Sequence, residues 1–287
     1  MNTSFSVTQL DKTFGAIVEG LSLSDLSNSE ADELYKLWLE HRLLIFPNQH
    51  LSQEEQIEFA KLFGEMEFDI TPISNVKKDG SIRDPVDDDI VKSLRGNMEW
   101  HHDSTYMPIQ AKGSVFTAHQ IPSAGGETGW ADMTAAYEGL DKEIREDIQD
   151  LCAYHSYTYS QGKYKHKPQE ESEFSGYGFD VDPPPFRPLV KTHPETGKKS
   201  LLIGRHAFGI PGLSKKESKE LLDKLNDFAC KEKNRVYHHS WTPGDAVLWD
   251  NRNLMHQACS WDLTEARVMY HSRIQGDELS ESGLNYL

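Results

Sequence analysis

A short motif and one distant histidine constrain the fold of this chain more than any other feature of its sequence. His101 and Asp103 lie two positions apart, and His256 belongs to a separate segment much further along the chain. On an extended strand, residues two apart project from the same face. Two histidines and one carboxylate bind one face of a non-haem Fe(II) ion and leave the opposite face open for chemistry. Because the third ligand must come from another strand, this set predicts a closed sheet or a sandwich that brings distant strands together.

Chance offers an alternative explanation for this pattern. The chain contains 13 histidines and 46 acidic residues, so a His-x-Asp pair is expected to occur without any function, and clustered polar groups are often structural. His102 is the adjacent rival as a ligand, but on a strand its side chain points away from those of His101 and Asp103. The sequence around each candidate ligand therefore decides between a metal site and a structural cluster.

The acidic composition disfavours some classes of function. With 30 basic and 46 acidic residues the formal net charge is −16, which repels phosphate backbones and disfavours nucleic-acid binding. The N-terminal stretch lacks the basic and apolar regions of a signal peptide, and no stretch reaches the ~20 apolar residues of a membrane span. The three cysteines are far apart, as expected for reduced thiols inside a cell. We expect a cytoplasmic protein that acts on a small molecule, with no membrane partner, and leave open whether it forms a homo-oligomer.

Four segments are predicted to be helical from apolar periodicity and from capping boxes. They are residues 28–41, a segment opened by Ser52 with Glu55 and ended by Gly64, residues 134–151, and a segment opened by Ser214 with Glu217.

The remaining apolar runs are short and predict strands. They cover residues 43–46, 113–121, 151–159, 188–192, 200–204, 236–241, 246–249 and 266–274. Many short strands with a few helices indicate one mainly β domain over residues 1–287, a double-sheet jelly roll with bracing helices. Residues 163–188 are polar and then proline-rich, which is typical of a surface loop; the alternative is a lid over the active site.

Four blocks of sequence resemble, in the same order, blocks of the taurine and 2,4-dichlorophenoxyacetate dioxygenase family. They are Asn97–Tyr106, Gly125–Thr128, Thr192–Lys198 and Trp249–Arg252, the last just before His256. Within this family the chain resembles most the aryloxyalkanoate dioxygenases that act on phenoxypropionate herbicides, through residues 43–47, 73–76, 202–207 and 267–273. The resemblance implies a double-stranded β-helix (jelly roll) core and an enzyme that uses Fe(II), 2-oxoglutarate and O₂.

The same resemblance implies roles for individual residues. The positions of the family's iron ligands are occupied here by His101, Asp103 and His256. Arg267 stands where the family holds the far carboxylate of 2-oxoglutarate, a task suited to the planar fork of arginine, and Thr128 stands where a hydroxyl assists it. By strand alternation Arg267, Met269 and His271 share one face with Arg273, and such a mixed face suits a lined cavity better than open solvent.

The resemblance also places polar residues at the substrate pocket, namely Asn97, Tyr159, Ser160, His206 and His271. The taurine branch carries a second arginine four residues after the first, where this chain has His271, so a sulfonate substrate is not expected. We predict a small carboxylate, such as an aryloxyalkanoate whose ether is cleaved after C–H hydroxylation, with its acid group near His206 and His271. Whether Arg205 or Arg273 contacts substrate stays open. The alternatives are a taurine-like sulfonate dioxygenase and a jelly-roll module that binds 2-oxoglutarate without catalysis.

Overall fold

The computed structural model describes residues 5–164 and 178–287, which form fifteen strands and eight α-helices. The strands are β1 (Ser6–Gln9), β2 (Ala16–Glu19), β3 (Leu43–Phe46), β4 (Thr71–Ser74), β5 (Gly113–Gln120), β6 (Thr128–Asp132), β7 (Cys152–His155), β8 (Phe186–Pro188), β9 (Val190–Thr192), β10 (Lys199–Leu201), β11 (Ala207–Phe208), β12 (Val236–His239), β13 (Ala246–Asp250), β14 (Leu254–Ala258) and β15 (Val268–Ile274). The helices are α1 (Asn28–His41), α2 (Gln53–Lys61), α3 (Asp89–Gly96), α4 (Met133–Glu138), α5 (Lys142–Ile148), α6 (Tyr157–Gly162), α7 (Lys215–Lys231) and α8 (Glu278–Glu281).

The largest sheet contains seven strands in the order β1-β2-β3-β13-β5-β15-β4. Its neighbours pair antiparallel, except for the parallel pair of β2 and β3. The central strands β3 and β13 are buried along their whole length, as the continuous apolar runs at residues 43–46 and 246–249 predicted.

A three-stranded antiparallel sheet, β12-β6-β14, faces the large sheet across a layer of buried aromatic side chains. Trp130 of β6 lies against Trp249 of β13 with ring centroids 5.8 Å apart. Trp241 packs edge-on against Phe116 of β5 at 5.6 Å. Rings of this size bury roughly 150–250 Å² each, so this layer holds β14, which carries His256, in a fixed place opposite the large sheet.

Helices pack on the outside of these sheets. Side chains of α1 and α2, among them Trp38 and Phe59, share one apolar cluster with β3 and β13, and α4 and α7 share another with β6 and β10. The predicted capping boxes are confirmed at Ser52 and at Ser214, and the predicted helix at residues 28–41 is confirmed with the same bounds. The helix opened by Ser52 ends at Lys61 rather than at Gly64.

Two predicted segments differ in kind from the observed elements. Residues 134–151 form two helices, because α4 ends at Glu138 with Gly139 as its C-cap, and a new helix follows Asp141. Residues 151–159 were predicted as one strand, but β7 ends at His155. The Ser156 side chain then accepts a hydrogen bond from Tyr159 N and begins α6, since serine favours a helix N-cap.

The predicted loop or lid at residues 163–188 is described only in part, because residues 165–177 lie outside the described residues. On its near side, Lys163 Nζ donates to Glu99 Oε2 at 2.9 Å. On its far side, Phe186–Pro188 is strand β8, paired with β7. Among the described residues, no helix is both long and apolar enough to cross a lipid bilayer.

Candidate active site

The structure brings His101, Asp103 and His256 together. His101 and His256 form an antiparallel backbone bridge, in which His101 N donates to His256 O at 2.9 Å and His256 N donates to His101 O at 2.8 Å. The candidate ligand atoms of the three side chains all lie within 4.8 Å of one another, and all three residues are buried. A distance of this order allows one ion to contact all three groups, since first-row metals bind such ligands at about 2.0–2.2 Å.

The path of the chain between His101 and Asp103 differs from the predicted strand. Only His101 takes part in a β-bridge, and the residues after His102 form a turn in which Ser104 has a positive φ of 55°. The expectation for His102 holds despite this, because its Nδ1 donates to Asn251 O at 2.8 Å and the ring points away from the ligand group. Asp103 is turned inward by contacts with other elements, not by strand alternation.

The protonation states of the three side chains suit a divalent cation. Burial, with help from neighbouring positive charge, holds the pKa of His101 well below its usual value, and burial lowers the pKa of His256 to about 4. Burial alone would raise the pKa of Asp103, but the rings of His256 and His271 outweigh it and hold that pKa well below its usual value. Metal binding needs neutral imidazoles and an ionised carboxylate, which is the state these shifts favour.

The tautomer of His101 also fits a ligand role. Its Nδ1 lies 2.7 Å from Glu99 O, and because a carbonyl can only accept, Nδ1 carries the proton. The lone pair of Nε2 is then left for a metal, as in many metal-bound histidines whose other nitrogen donates to a carbonyl.

Arg267 is a buried cation without a carboxylate partner among the described residues. Only 1% of the residue is exposed. Its Nε donates to Gly126 O at 3.1 Å, and its Nη2 makes a long contact of 3.5 Å with Thr128 Oγ1. Burial lowers the pKa of Arg267 to about 10. A buried guanidinium that lacks a counter-ion is costly, so this position is suited to an anionic ligand.

One cavity of about 170 Å³ is lined by all five residues described above as metal or anion candidates. They are His101, Asp103, His256, Arg267 and Thr128. Thr128 Oγ1 accepts a hydrogen bond from Trp241 Nε1 at 3.0 Å, which fixes the hydroxyl beside the guanidinium. Apolar side chains form another part of the wall, namely Ile73, Ile90, Leu94, Phe116 and Trp249.

Three of the five predicted substrate residues line this cavity, and a fourth lies directly behind it. Asn97, His206 and His271 are in the wall. Ser160 is fully buried, and its Oγ lies 2.8 Å from His206 Nδ1, so it orients that ring. His271 Nε2 lies 3.4 Å from Asp103 Oδ2, which directs this ring to the candidate metal ligand.

Tyr159 does not belong to the cavity. Its ring stacks on Phe208 with centroids 4.7 Å apart, and the residue is 40% exposed in a separate depression. The reason is the helix α6: residues three apart on a helix share a face, so Tyr157 and Ser160 point inward while Tyr159 points outward.

The sequence analysis did not name two tyrosines that line the cavity, Tyr106 and Tyr157. Tyr106 ends one of the resembling blocks, so its position was available from the sequence, whereas the inward face of Tyr157 depended on α6. Arg205, which the sequence analysis left open, lines the separate depression beside Tyr159. Its three guanidinium nitrogens are buried without hydrogen-bond partners among the described residues. Burial lowers the pKa of His206, and the charge of Arg205 lowers it further.

Comparison with known proteins defines the class to which this fold and site belong. Residues 6–273 match the family model described as taurine catabolism dioxygenase TauD, TfdA family, and the chain belongs to this family of dioxygenases.

Individual relatives are similar over almost their entire length. The chain is 56% identical to an (S)-phenoxypropionate/alpha-ketoglutarate-dioxygenase of Sphingobium herbicidovorans, with 99% of each chain covered. It is 50% identical to a protein of the same name from Delftia acidovorans, over 96% of this chain and 97% of the relative. Among solved structures, AAD-2 in complex with Mn(II) and N-oxalylglycine superimposes with a TM-score of 0.88 at 34% identity, covering 98% of this chain and 99% of the other.

Proposed function

We propose that the chain is an Fe(II)- and 2-oxoglutarate-dependent dioxygenase in which His101, Asp103 and His256 bind the iron. One observation carries this proposal: a triad of buried candidate metal ligands lines the same cavity as a buried guanidinium that has no carboxylate partner among the described residues. 2-Oxoglutarate has a group for each, since its oxo-acid end chelates a metal and its far carboxylate pairs with arginine. Arg267 holds that carboxylate, and Thr128 supports it.

The activity couples two oxidations. When bound, iron and 2-oxoglutarate supply the oxidising chemistry. 2-Oxoglutarate and O₂ give succinate and CO₂; one oxygen atom of O₂ enters succinate, and the other is inserted into a substrate C–H bond. The residues of this chain bind and orient the reactants. They also exclude water, because the ligands and Arg267 are buried.

The substrate is an aryloxyalkanoate-like ether acid. Two relatives at 56% and 50% identity carry the name (S)-phenoxypropionate/alpha-ketoglutarate-dioxygenase. In this chain, the apolar wall with Ile73, Ile90 and Leu94 is suited to an aryl ring. Hydroxylation of the carbon that bears the ether oxygen gives an unstable hemiketal, which collapses to a phenol and a 2-oxo acid.

The acid group of the substrate binds near His206, which lines the cavity together with His271. Arg205 is the neighbouring residue, but it lines the separate depression that also contains Tyr159, so we assign it no direct contact with the substrate. We assign His271 a smaller contribution to binding the acid group than its position in the sequence suggested, because its Nε2 is directed to Asp103 Oδ2.

The arrangement of the sheets supports a jelly-roll core. The seven-stranded sheet and the β12-β6-β14 sheet face each other across one aromatic layer, as the two sheets of a jelly roll do. We treat residues 1–287 as one domain that acts on small molecules in the cytoplasm.

Succinate release tests the proposed function. Purified protein is supplied with Fe(II), ascorbate and 2-oxoglutarate, and succinate is measured with (S)- and (R)-2-phenoxypropionate, phenoxyacetate and taurine. We expect the (S)-phenoxypropionate to stimulate succinate and release phenol in equal amounts, and taurine to do neither. Robust taurine turnover would favour the sulfonate alternative, and no stimulation by any of the four would contradict the proposed substrate class.

A further inference from the structure

Two buried asparagines occupy equivalent places in the fold. Asn251 directly follows the last residue of β13, and Asn75 directly follows the last residue of β4. Both are fully buried at 0% exposure, and neither lines the cavity. In both, every side-chain hydrogen-bonding atom is engaged with main-chain groups, and each contacts the backbone of one site residue.

The amide of Asn251 brackets the peptide groups of Asp103. Its Oδ1 accepts from Asp103 N at 2.8 Å, and its Nδ2 donates to Asp103 O at 3.0 Å and to Ala111 O at 2.7 Å. The backbone carbonyl of Asn251 accepts from His102 Nδ1 at 2.8 Å. One residue therefore turns Asp103 into the cavity and His102 out of it, in a turn where no strand imposes that alternation.

The amide of Asn75 makes the corresponding contacts at Arg267. Its Oδ1 accepts from Arg267 N at 2.8 Å, and its backbone N donates to Arg267 O at 3.3 Å. Its Nδ2 donates to Leu263 O at 2.9 Å and to Glu265 O at 2.8 Å. These four hydrogen bonds hold the backbone of residues 263–267, which leads into Arg267.

Both asparagines lie where the hydrogen-bond ladder of the seven-stranded sheet stops. A backbone there has donors and acceptors that still need partners, and a carboxamide offers both an acceptor and two donors. The side chain continues the ladder by one step and couples a site residue to a rigid strand. Leucine would fill the space without these bonds, and a carboxylate would lack the donors.

We infer that Asn251 and Asn75 are positioning residues with separate targets: Asn251 places the Asp103 carboxylate for the metal, and Asn75 places the Arg267 guanidinium for the far carboxylate of 2-oxoglutarate. The inference rests on the proposed function and assigns the two asparagines to different ligands of the same site. Each asparagine is therefore the matched control for the other, since the two are equally buried and equally hydrogen-bonded.

The test measures two binding constants on metal-free protein. Mn²⁺ is titrated and followed by the EPR signal of free Mn²⁺. 2-Oxoglutarate is then titrated by calorimetry into protein saturated with Mn²⁺. The proteins are wild type, Asn251→Ala and Asn75→Ala, with Asn251→Asp and Asn75→Asp as second variants that keep the side-chain shape and lose the donors. Urea unfolding is recorded for each.

A crossed pattern is expected. Asn251→Ala weakens Mn²⁺ binding on the order of 10–100-fold, as loss of a group that orients a metal ligand does, and leaves 2-oxoglutarate binding at saturating Mn²⁺ unchanged. Asn75→Ala leaves Mn²⁺ binding unchanged and weakens 2-oxoglutarate binding on the order of 10-fold. The Asp variants show the same pattern if an Ala variant does not fold.

A purely structural role predicts a different result. Both substitutions would then lower the free energy of unfolding while the two binding constants kept their wild-type values. Alternatively, each substitution would weaken the binding of Mn²⁺ and of 2-oxoglutarate to the same extent. Either result overturns the inference. Failure of wild type to bind Mn²⁺, or to bind 2-oxoglutarate once Mn²⁺ is bound, would instead overturn the proposed function.

Discussion

At the scale of single residues, Asp103 differs from the other candidate ligands because it supplies the only negative charge among them. Asp103→Ala is expected to abolish metal binding and succinate formation, since two neutral imidazoles alone bind Fe(II) weakly. His102→Ala is the matched control, because His102 is also buried but its Nδ1 donates to Asn251 O. Metal content and succinate release measure both variants. Near-normal turnover in Asp103→Ala would remove Asp103 from the site.

Arg267 and Arg273 are both buried arginines near the C-terminal strand, yet their surroundings predict different roles. Arg273 has Glu67 as a counter-ion at 3.9 Å and donates to Ser104 Oγ, whereas Arg267 has no carboxylate partner among the described residues. Arg267→Ala is expected to weaken the binding of 2-oxoglutarate by ~2–5 kcal/mol, the usual cost of losing one member of a buried charge pair. The 2-oxoglutarate dependence of succinate release measures this. An unchanged dependence would assign the anchor to Arg273.

At the scale of secondary-structure elements, the sequence predicted most where the local signals were strong. Capping boxes located α2 and α7, and continuous apolar runs located β3 and β13. The strands β6 and β14 were not predicted as strands, because their pairing is set by distant partners and β propensity depends on such context.

Tyr159 shows where the resemblance and the structure differ. The resemblance placed Tyr159 at the pocket, whereas the helix α6 turns Tyr157 into the cavity and Tyr159 away from it. For Asp103 the predicted cluster forms although the predicted strand does not, because the motif depends on residue identity and Asn251 holds the backbone of Asp103. Such side-chain-to-backbone bonds between distant segments leave no periodic signal in a sequence.

The end of β13 is joined to the β9–β10 turn by a buried ionic network. Asp250 accepts from His193 Nε2 at 2.9 Å and from Arg252 Nη2 at 2.8 Å, and Arg252 Nη1 donates to Glu195 Oε1 at 2.7 Å. Asp250→Asn is expected to destabilise the protein by about 3–5 kcal/mol, because it leaves Arg252 partly uncompensated in the interior. Urea unfolding measures this. The control Asp223→Asn removes an exposed ion pair and should stay close to wild type.

The same network predicts the direction of a pH effect. Burial would raise the pKa of Asp250, but Arg252 and the bond from His193 outweigh it and hold that pKa far below its usual value. A carboxylate with a depressed folded-state pKa contributes stability that is complete above its unfolded pKa of about 3.9 and is lost as pH falls toward the folded value. The difference in unfolding free energy between wild type and Asp250→Asn should therefore be constant from neutral pH down to about 5 and shrink below about 4. A difference that grew on acidification would contradict the assignment.

At the scale of the whole molecule, the net charge of the chain and the charge at the Arg267 position have opposite signs. The formal net charge is −16, but Arg267 lines the cavity as a buried cation without a carboxylate partner among the described residues. The negative net charge repels anions in solution, but salt at physiological ionic strength screens this repulsion beyond about 8 Å. The Arg267 guanidinium acts at contact distance in a buried cavity, so an acidic protein can bind an anionic ligand there.

Ligand binding should stabilise the whole fold in a fixed order. A ligand that binds only the folded state at about 100 times its Kd stabilises it by about 2.7 kcal/mol, which raises the Tm by on the order of 5 °C for a chain of this size. We expect Mn²⁺ to raise the Tm of metal-free protein, 2-oxoglutarate to raise it further only once Mn²⁺ is present, and EDTA to reverse both steps. The order follows from the site, because Arg267 holds only the far carboxylate, while the oxo-acid end has its partner on the metal held by His101, Asp103 and His256. Asp103→Ala should show neither shift. A full shift from 2-oxoglutarate without metal would mean that Arg267 alone accounts for its binding, and no shift from Mn²⁺ would contradict the ligand set.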